Sequence, residues 1–242
     1  MKTIKKSLIL SFVLLVCVSC NMVGGVKPSD NYITRNYKVA EFDQMKLNTV
    51  GNINFLQSTD GTTSVKIYGP DNILDLIEVS VKNRKLFIEF KKKNQIKNVK
   101  KMQIDITSPN LSGLEFEGVG NIDLGESLSA DELGIRFTGV GNLVAKGITC
   151  QSIHVSSNGV GDVNLSGKSE SVTLSNNGVG NISASKLEGN TVHVSAKGVG
   201  NVTCWANEYL KASTSGVGSI KYKGNPSEKN LSKNGVGSIK SF

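Results

Sequence analysis

Residues 176–201 read NNGVGNISASKLEGNTVHVSAKGVGN, with Gly-Val-Gly twice at an interval of twenty residues. The tripeptide begins at seven positions: Gly118, Gly139, Gly159, Gly178, Gly198, Gly216 and Gly235. Its second glycines are Gly120, Gly141, Gly161, Gly180, Gly200, Gly218 and Gly237. A phosphate-binding glycine loop occurs once, between a strand and a helix, whereas a steady period near twenty residues is typical of a stacked repeat. These glycines are therefore interpreted as structural turns.

The residues around each Gly-Val-Gly keep one register. Four residues before the first glycine stand Leu114, Ile135, Val155, Leu174, Val194, Ala212 and Leu231. Four residues after it stand Ile122, Leu143, Val163, Ile182, Val202, Ile220 and Ile239. Mostly polar residues alternate with these apolar positions, which is the pattern of a strand with one buried face.

This pattern predicts an all-β fold, a single-stranded parallel β-helix with about 20 residues per coil and a Gly-Val-Gly turn in each coil. Stacked coils would lie about 4.8 Å apart and share a continuous apolar core. The valine of each turn, from Val119 to Val236, is expected to point into that core.

The residue after each turn forms a polar column, predicted to act as a hydrogen-bonded ladder. Its members are Asn121, Asn142, Asp162, Asn181 and Asn201, followed by Ser219 and Ser238. A row of calcium ligands is the other interpretation. One carboxylate among neutral side chains does not supply the charge that calcium requires, so no metal site is predicted there.

The segment before the repeats carries a related coil. FDQMKLNTVGNINF (residues 42–55) aligns with LSGLEFEGVGNIDL (residues 111–124), with Thr49 in place of the first glycine. The β-helix is thus predicted over 36–242, with irregular coils at 36–110 and regular repeats at 111–242. About three coils are expected between Val50 and Val119, and a short helical turn at residues 71–77.

Both ends of such a stack need protection from edge-to-edge pairing. The N-terminal strands are expected to cap one end. At the other end, either Phe242 folds over the last coil or the end stacks on a partner, which would make the chain a homo-oligomer through its C-terminal end.

Residues 1–19 have the features of a secretory signal peptide, a lysine-containing start followed by a short apolar run. The sequence VCVSC that ends it resembles a bacterial lipobox, so lipidation of Cys20 is predicted, followed by a flexible tether at 20–35. The protein would then be exported and lipid-anchored to the outer membrane, on a face that the sequence leaves open. The alternative is an ordinary cleaved signal with an incidental cysteine.

The net charge of +8 includes the lysines of the signal. Much of the remaining excess lies in KKKNQIKNVKK (residues 91–101), which is either a solvated loop or a contact for anionic lipid or another polyanion. The chain has few aromatic residues and no nucleic-acid motif, so no nucleic-acid partner is predicted.

Catalysis on such a fold needs clustered carboxylates or a base beside Arg or Lys. The closest approach to such a cluster is Glu115, Glu117 and Asp123 around the first turn, with an ion pair expected between Glu115 and Arg136 on neighbouring coils. No catalytic, metal-binding or cofactor-binding residue is assigned.

Two histidines and two cysteines complete the candidates. His154 and His193 fall in one outward column two coils apart, about 10 Å, too far to share a zinc ion. Cys150 and Cys204 are about three coils apart, so no disulfide is expected.

The exported N-terminus, the early TVGNINF coil, the segment ITSPNLSGLEFEGVGNIDL and the following repeats resemble the putative auto-transporter adhesin, head GIN-domain family of Bacteroidetes-type bacteria. The resemblance runs from about residue 37 to 242. It implies a β-helix shaped like that of pectin lyases without their catalytic residues, and a role in adhesion.

The function expected from the sequence is therefore a non-enzymatic envelope lipoprotein, an adhesin-like binding or scaffold module for glycans or envelope polymers. Two alternatives stay open: a carbohydrate-active enzyme on the same fold, and a periplasmic protein of envelope assembly or stress.

Overall fold

The computed structural model describes residues 25–91, 99 and 101–242. The expected signal peptide at 1–19, the expected lipidation site Cys20 and most of the lysine-rich run at 91–101 lie outside the described residues. Within the described residues, no helix is long and apolar enough to cross a membrane.

These residues form one short helix, α1 (Asp71–Leu74), and eighteen strands. The N-terminal strands are β1 (Tyr32–Tyr37), β2 (Gln44–Val50), β3 (Asn52–Gln57), β4 (Ser64–Pro70), β5 (Ile77–Lys82), β6 (Lys85–Phe90) and β7 (Gln103–Ser108). The strands of the repeats are β8 (Gly113–Val119), β9 (Ile122–Asp123), β10 (Leu128–Ser129), β11 (Glu132–Phe137), β12 (Leu143–Ser157), β13 (Val163–Asn176), β14 (Ile182–Ala196), β15 (Val202–Thr214), β16 (Ile220–Lys223), β17 (Glu228–Lys233) and β18 (Ile239–Ser241).

The predicted parallel β-helix is confirmed. Before the turns, β2, β8, β11 and the C-terminal halves of β12 to β15 pair in parallel, followed by β17. After the turns, β3, β9 and the N-terminal halves of β12 to β15 pair in the same way, followed by β16 and β18. Each coil thus lies on the next, in the register that the Gly-Val-Gly spacing indicates.

The turns show why each copy needs two glycines. At Gly161 the backbone has φ +138°, which disfavours any residue with a Cβ, and an added Cβ would overlap the carbonyl oxygen of Gly141 in the preceding coil. At Gly159, the first glycine of that turn, an added Cβ would overlap the carbonyl oxygen of Gly139. The glycines therefore let neighbouring turns approach at strand spacing.

The turn valines do not point into the core, and that expectation was wrong. Val140 and Val160 are each 50% exposed, and Val236 is 71% exposed. The reason is the period-two alternation itself: residues 114 and 116 face inward on β8, so residues 115, 117 and 119 face outward. Parallel bridges still connect successive valine backbones from Val119 to Val236.

Behind the turns, the buried side chains become smaller and more polar from the N-terminal to the C-terminal coils. One inward column begins with Leu47, Phe116 and Phe137, and the rings of Phe116 and Phe137 stack with centroids 5.6 Å apart. The same column then continues with smaller residues, Ser157, Asn176, Ala196 and Thr214, all buried. The interior behind the turns therefore passes from large apolar side chains to small and polar ones.

The alignment of the early coil with residues 111–124 is confirmed, because Met45 pairs with Leu114, Val50 with Val119 and Ile53 with Ile122. The prediction of three coils between Val50 and Val119 was therefore wrong. Strands β2 and β3 contact β8 and β9 directly, and strands β4 to β7 lie on their outer side.

That outer side forms the N-terminal cap. Strands β6 and β7 extend the two sheets in parallel beside β2 and β3. Antiparallel strands follow, β5 on β6 in one sheet and then β4 and β1 on β7 in the other. Helix α1 lies in the connection between β4 and β5, at the predicted helical turn.

The flexible tether expected at 20–35 is too long. Ser29 N donates to Asn72 Oδ1 at 3.0 Å, and Asn31 Nδ2 donates to Asp71 Oδ2 at 2.7 Å. Strand β1 begins at Tyr32 and pairs with β4. The polar residues of this segment thus bind the first turn of α1. At the opposite end, Phe242 is 63% exposed and does not cover the last coil.

Candidate functional site

The outward face of the sheet before the turns contains a gap in its side chains. Gly113 of β8 and Gly134 of β11 lie side by side in one outward column. The column carries Gln44 and Lys85 on one side of the gap and His154 on the other. The result is a depression of about 310 Å³, at the lower end of the range for small-molecule sites.

The depression continues in both directions along the strands. A space of about 90 Å³ shares Glu115 and Arg136 with it and is lined also by Lys46, Asn48, Glu117 and Thr138. A space of about 270 Å³ shares Ser112 and is lined also by Asp43, Ser129, Asp131 and Glu132. Together these three spaces form the glycine-floored groove. Because residues 43–48 run along it, its length is about 17 Å at strand rise.

An ion pair fixes the carboxylate in the middle of the groove. Lys85 Nζ lies 3.0 Å from Glu115 Oε1. That hydrogen bond lowers the pKa of Glu115, and the charges of Lys46 and Arg136 lower it further. Glu115 is therefore an ionised acceptor at neutral pH, and it is poorly suited to donate a proton.

The ion pair leaves two cations of the groove available, Lys46 and Arg136, and only Arg136 has a planar guanidinium. Arg136 lies opposite Glu115 on the next coil, is exposed, and has no hydrogen bond or ion pair within residues 25–91, 99 and 101–242. The expected Glu115–Arg136 ion pair was thus wrong, because Lys85 takes that place. Lys85 was missed because its strand, β6, packs outside β2, which the repeat does not predict.

The sequence contained one usable signal for the groove. Gly113 and Gly134 are 21 residues apart, the interval of the first two turns, and so fall in one column. The turn glycines share this interval, so the second pair is not distinguished by its spacing alone.

The acidic residues considered for catalysis do not all come together. Glu115 and Glu117 face outward from β8, and both line the groove. Asp123 lies beyond the turn on β9, where its Oδ1 accepts a hydrogen bond from Gly125 N at 2.8 Å. The structure therefore brings two of the three carboxylates to one surface.

The histidines take their predicted column but have different surroundings. His154 pairs with Thr173, which pairs with His193. His154 lines the groove, and the His193 ring packs against Tyr209 at 5.7 Å. In the part of the chain that the structure describes, no group of three or more His, Cys, Asp or Glu residues could hold a metal ion.

The polar column after the turns is a chain of hydrogen bonds. Asn142 N donates to Asn121 Oδ1 at 3.0 Å, and Asp162 N donates to Asn142 Oδ1 at 3.0 Å. The series begins one coil earlier, at Asn52, and continues through Asn181, Asn201, Ser219 and Ser238. Each side-chain oxygen satisfies a backbone N–H of the following coil, which is a structural role.

The two cysteines are free thiols. Cys204 is buried, and burial raises the pKa of its thiol to about 12. Burial also raises the pKa of the Cys150 thiol, whose Sγ lies 3.4 Å from Ser169 Oγ. Neither thiol is activated as a nucleophile.

Solved structures with the same fold include proteins from Bacteroides and Parabacteroides species. A putative adhesin from Bacteroides fragilis NCTC 9343 is 50% identical, with a TM-score of 0.87, covering 90% of this chain and 100% of that chain. A putative adhesin from Parabacteroides distasonis ATCC 8503 is 21% identical, with a TM-score of 0.68 and coverage of 90% and 99%.

A putative lipid binding protein from the same Parabacteroides strain is 19% identical, with a TM-score of 0.69 and coverage of 88% and 98%. At such identities the last two structures are similar in fold alone. No curated protein matches the chain significantly.

The family comparison covers most of the chain. Residues 41–226 match the family described as putative auto-transporter adhesin, head GIN domain. This range includes the early coil, the cap strands β4 to β7, the glycine-floored groove and all but the last of the Gly-Val-Gly turns. The chain belongs to the putative auto-transporter adhesin, head GIN domain family.

Proposed function

We propose that this chain is a non-enzymatic binding module of the cell envelope, exported and attached to the outer membrane by a lipid on Cys20. It acts as an adhesin-like or scaffold surface for glycans or envelope polymers. Adhesion is the activity named in the family description and for the Bacteroides fragilis relative.

One observation carries the proposal. Ser156, Ser175, Ser195, Ser213 and Ser232 stand in register on successive coils, in one outward column. At about 4.8 Å per coil, such a column offers evenly spaced hydroxyl groups to a long polar chain. Each contact is weak, and many together give useful affinity.

The location is tested by protease treatment of intact cells that carry an epitope after Phe242, with permeabilised cells as the control. We expect the epitope to be lost from intact cells. Protection until permeabilisation would overturn adhesion and leave a scaffold on the periplasmic side, the function of an envelope-assembly or stress protein.

The enzymatic alternative is tested with purified protein and acidic polysaccharides. We expect no depolymerisation, because the ion pair with Lys85 lowers the pKa of Glu115, which makes this carboxylate a poor general acid and a weak general base. Turnover that disappears in Glu115→Gln, Glu117→Gln or Asp123→Asn would overturn the non-enzymatic function.

Self-association through the C-terminal end belongs to the same proposal. In the described part of the chain, β17 and β18 have no strand paired on the side away from β15 and β16. Leu231 and Val236 of this coil are 43% and 71% exposed. Light scattering at high concentration is expected to show a homo-oligomer, and a monomer would refute it.

A further inference from the structure

Gly113 and Gly134 differ from the turn glycines because the backbone does not require them. A Cβ added at Gly134 would have Ser112 O as its nearest atom, at 3.8 Å, and one added at Gly113 would have Gln44 Cγ at 3.5 Å. Both distances are ordinary contacts, and neither glycine has a left-handed φ. Glycine inside a strand usually weakens the strand, and it often marks a place where a ligand approaches the backbone closely.

The charged side chains around Gly113 and Gly134 indicate which kind of ligand the groove binds. Lys85 is bound to Glu115, whereas Lys46 and Arg136 act on Glu115 through their charges alone and have no hydrogen-bond or ion-pair partner in the described residues. Lys46, Lys85 and Arg136 outnumber the carboxylates of Glu115 and Glu117 by one positive charge. A guanidinium matches the planar geometry of a carboxylate and binds it through two parallel hydrogen bonds. The middle of the groove therefore suits one carboxylate.

The rest of the groove suits hydroxyl groups. Gln44, Ser112 and Ser156 offer amide and hydroxyl groups beside the glycines. At one end, the carboxylates of Asp131 and Glu132 can accept hydrogen bonds from hydroxyl donors. The same carboxylates repel a densely charged polyanion, which disfavours sulfated chains and polyphosphates.

We infer that the glycine-floored groove binds an oligosaccharide with a carboxylate on its sugar ring, of the uronic-acid class. Arg136 binds the carboxylate, and Gly113 and Gly134 leave room for the ring against the sheet. The inference rests on the proposed glycan-binding function and names the ligand class at one place on the surface. The groove, about 17 Å long, accommodates a few sugar units.

Isothermal titration of the purified chain with an otherwise neutral tetrasaccharide that carries one glucuronic acid unit tests the inference, with the methyl ester of the same tetrasaccharide as the neutral probe. We expect binding of the acid and at least tenfold weaker binding of the ester. Arg136→Gln is expected to weaken binding of the acid by roughly 10- to 100-fold, because a charge-assisted hydrogen bond is lost. Lys211→Gln removes the same charge from the outward column three coils beyond His154 and is expected to leave binding unchanged.

Gly134→Val fills the groove with a strand-favouring residue and is expected to abolish binding while Tm stays the same or rises. If that variant fails to fold, Arg136→Gln against Lys211→Gln still decides the question. Equal binding of acid and ester, or binding that survives both groove variants, would overturn the inference while glycan binding elsewhere on the surface stands. No binding of either probe would also overturn the inference, and the protease experiment on cells would then judge the proposed function separately.

Discussion

The N-terminal end of the solenoid and its Gly-Val-Gly repeats form the same parallel stack through different strand pairings. From β8 onward, each coil pairs with the coil that follows it in sequence, at an interval near twenty residues. At the N-terminal end, the coil of β2 and β3 pairs with β8 and β9 on one side and with β6 and β7 on the other. Its register partners are therefore 41 to 69 positions apart in the sequence.

This difference explains why the repeats need glycine at the turns. In the repeats, a turn is covered by the preceding turn, and a Cβ has no space. At the outer coil, the pairing of β2 with β6 ends at Asn48–Glu89, just before the turn. Thr49, with its full side chain, occupies the position that is glycine in every later coil.

Gly161→Ala is expected to disrupt the stacking of the Gly-Val-Gly coils. The free energy of unfolding should fall by more than about 5 kcal/mol, or cooperative folding should be lost. The added methyl group would overlap Gly141 O and also strain a backbone at φ +138°. Urea denaturation followed by circular dichroism measures the effect.

The control is Gly61→Ala in the N-terminal part. Gly61 has φ +81°, but no atom lies within 4 Å of an added Cβ, so only backbone strain of about 1–2 kcal/mol is expected. Equal losses at the two positions would show that φ alone, rather than the contact between coils, makes the turn glycines necessary.

Phe137→Ala is expected to cost about 3–5 kcal/mol, because it empties a buried position stacked on Phe116. In the same inward column, Asn176→Ala is expected to change stability by about 1 kcal/mol or less. Asn176 loses one hydrogen bond, from Nδ2 to Gly180 O, and a buried Oδ1 without a partner is also removed. Comparable losses would contradict the change from an apolar to a polar interior.

The sequence predicted the parts of the fold in which coils that are neighbours in sequence are also neighbours in space. Period and register alone placed β8 to β18 and even aligned Val50 with Val119. The cap was not predictable in this way, because nothing local indicates that strands β4 to β7 lie on the outer side of β2 and β3. Lys85 and the groove depend on that placement. The exposed valines, in contrast, could have been predicted by continuing the alternation through residue 119.

Asn142→Ala is expected to cost about 1–2 kcal/mol, because Asp162 N–H would lose its acceptor in the ladder. The matched control, Asn158→Ala, removes only side-chain contacts with Ser156 and Asn177 and is expected to cost less than about 0.5 kcal/mol. Thermal unfolding of both variants checks this difference. If Asn142 and Asn158 proved equal, the backbone donor of the next coil would be satisfied by water.

The smallest effect is expected where the two parts of the stack meet. Thr49 and Gly118 are register partners in adjacent coils, so alanine can be placed at the same turn position in both. Thr49→Ala removes a buried methyl group and a hydroxyl whose hydrogen bond is long, at 3.5 Å, and is expected to cost about 1 kcal/mol. Gly118→Ala would overlap Thr49 O and is expected to cost several times more. Denaturation could instead show that Thr49→Ala costs more stability than Gly118→Ala. The outer coil would then depend on its threonine for packing. The absence of a covering turn would not explain why a side chain is accepted at this position.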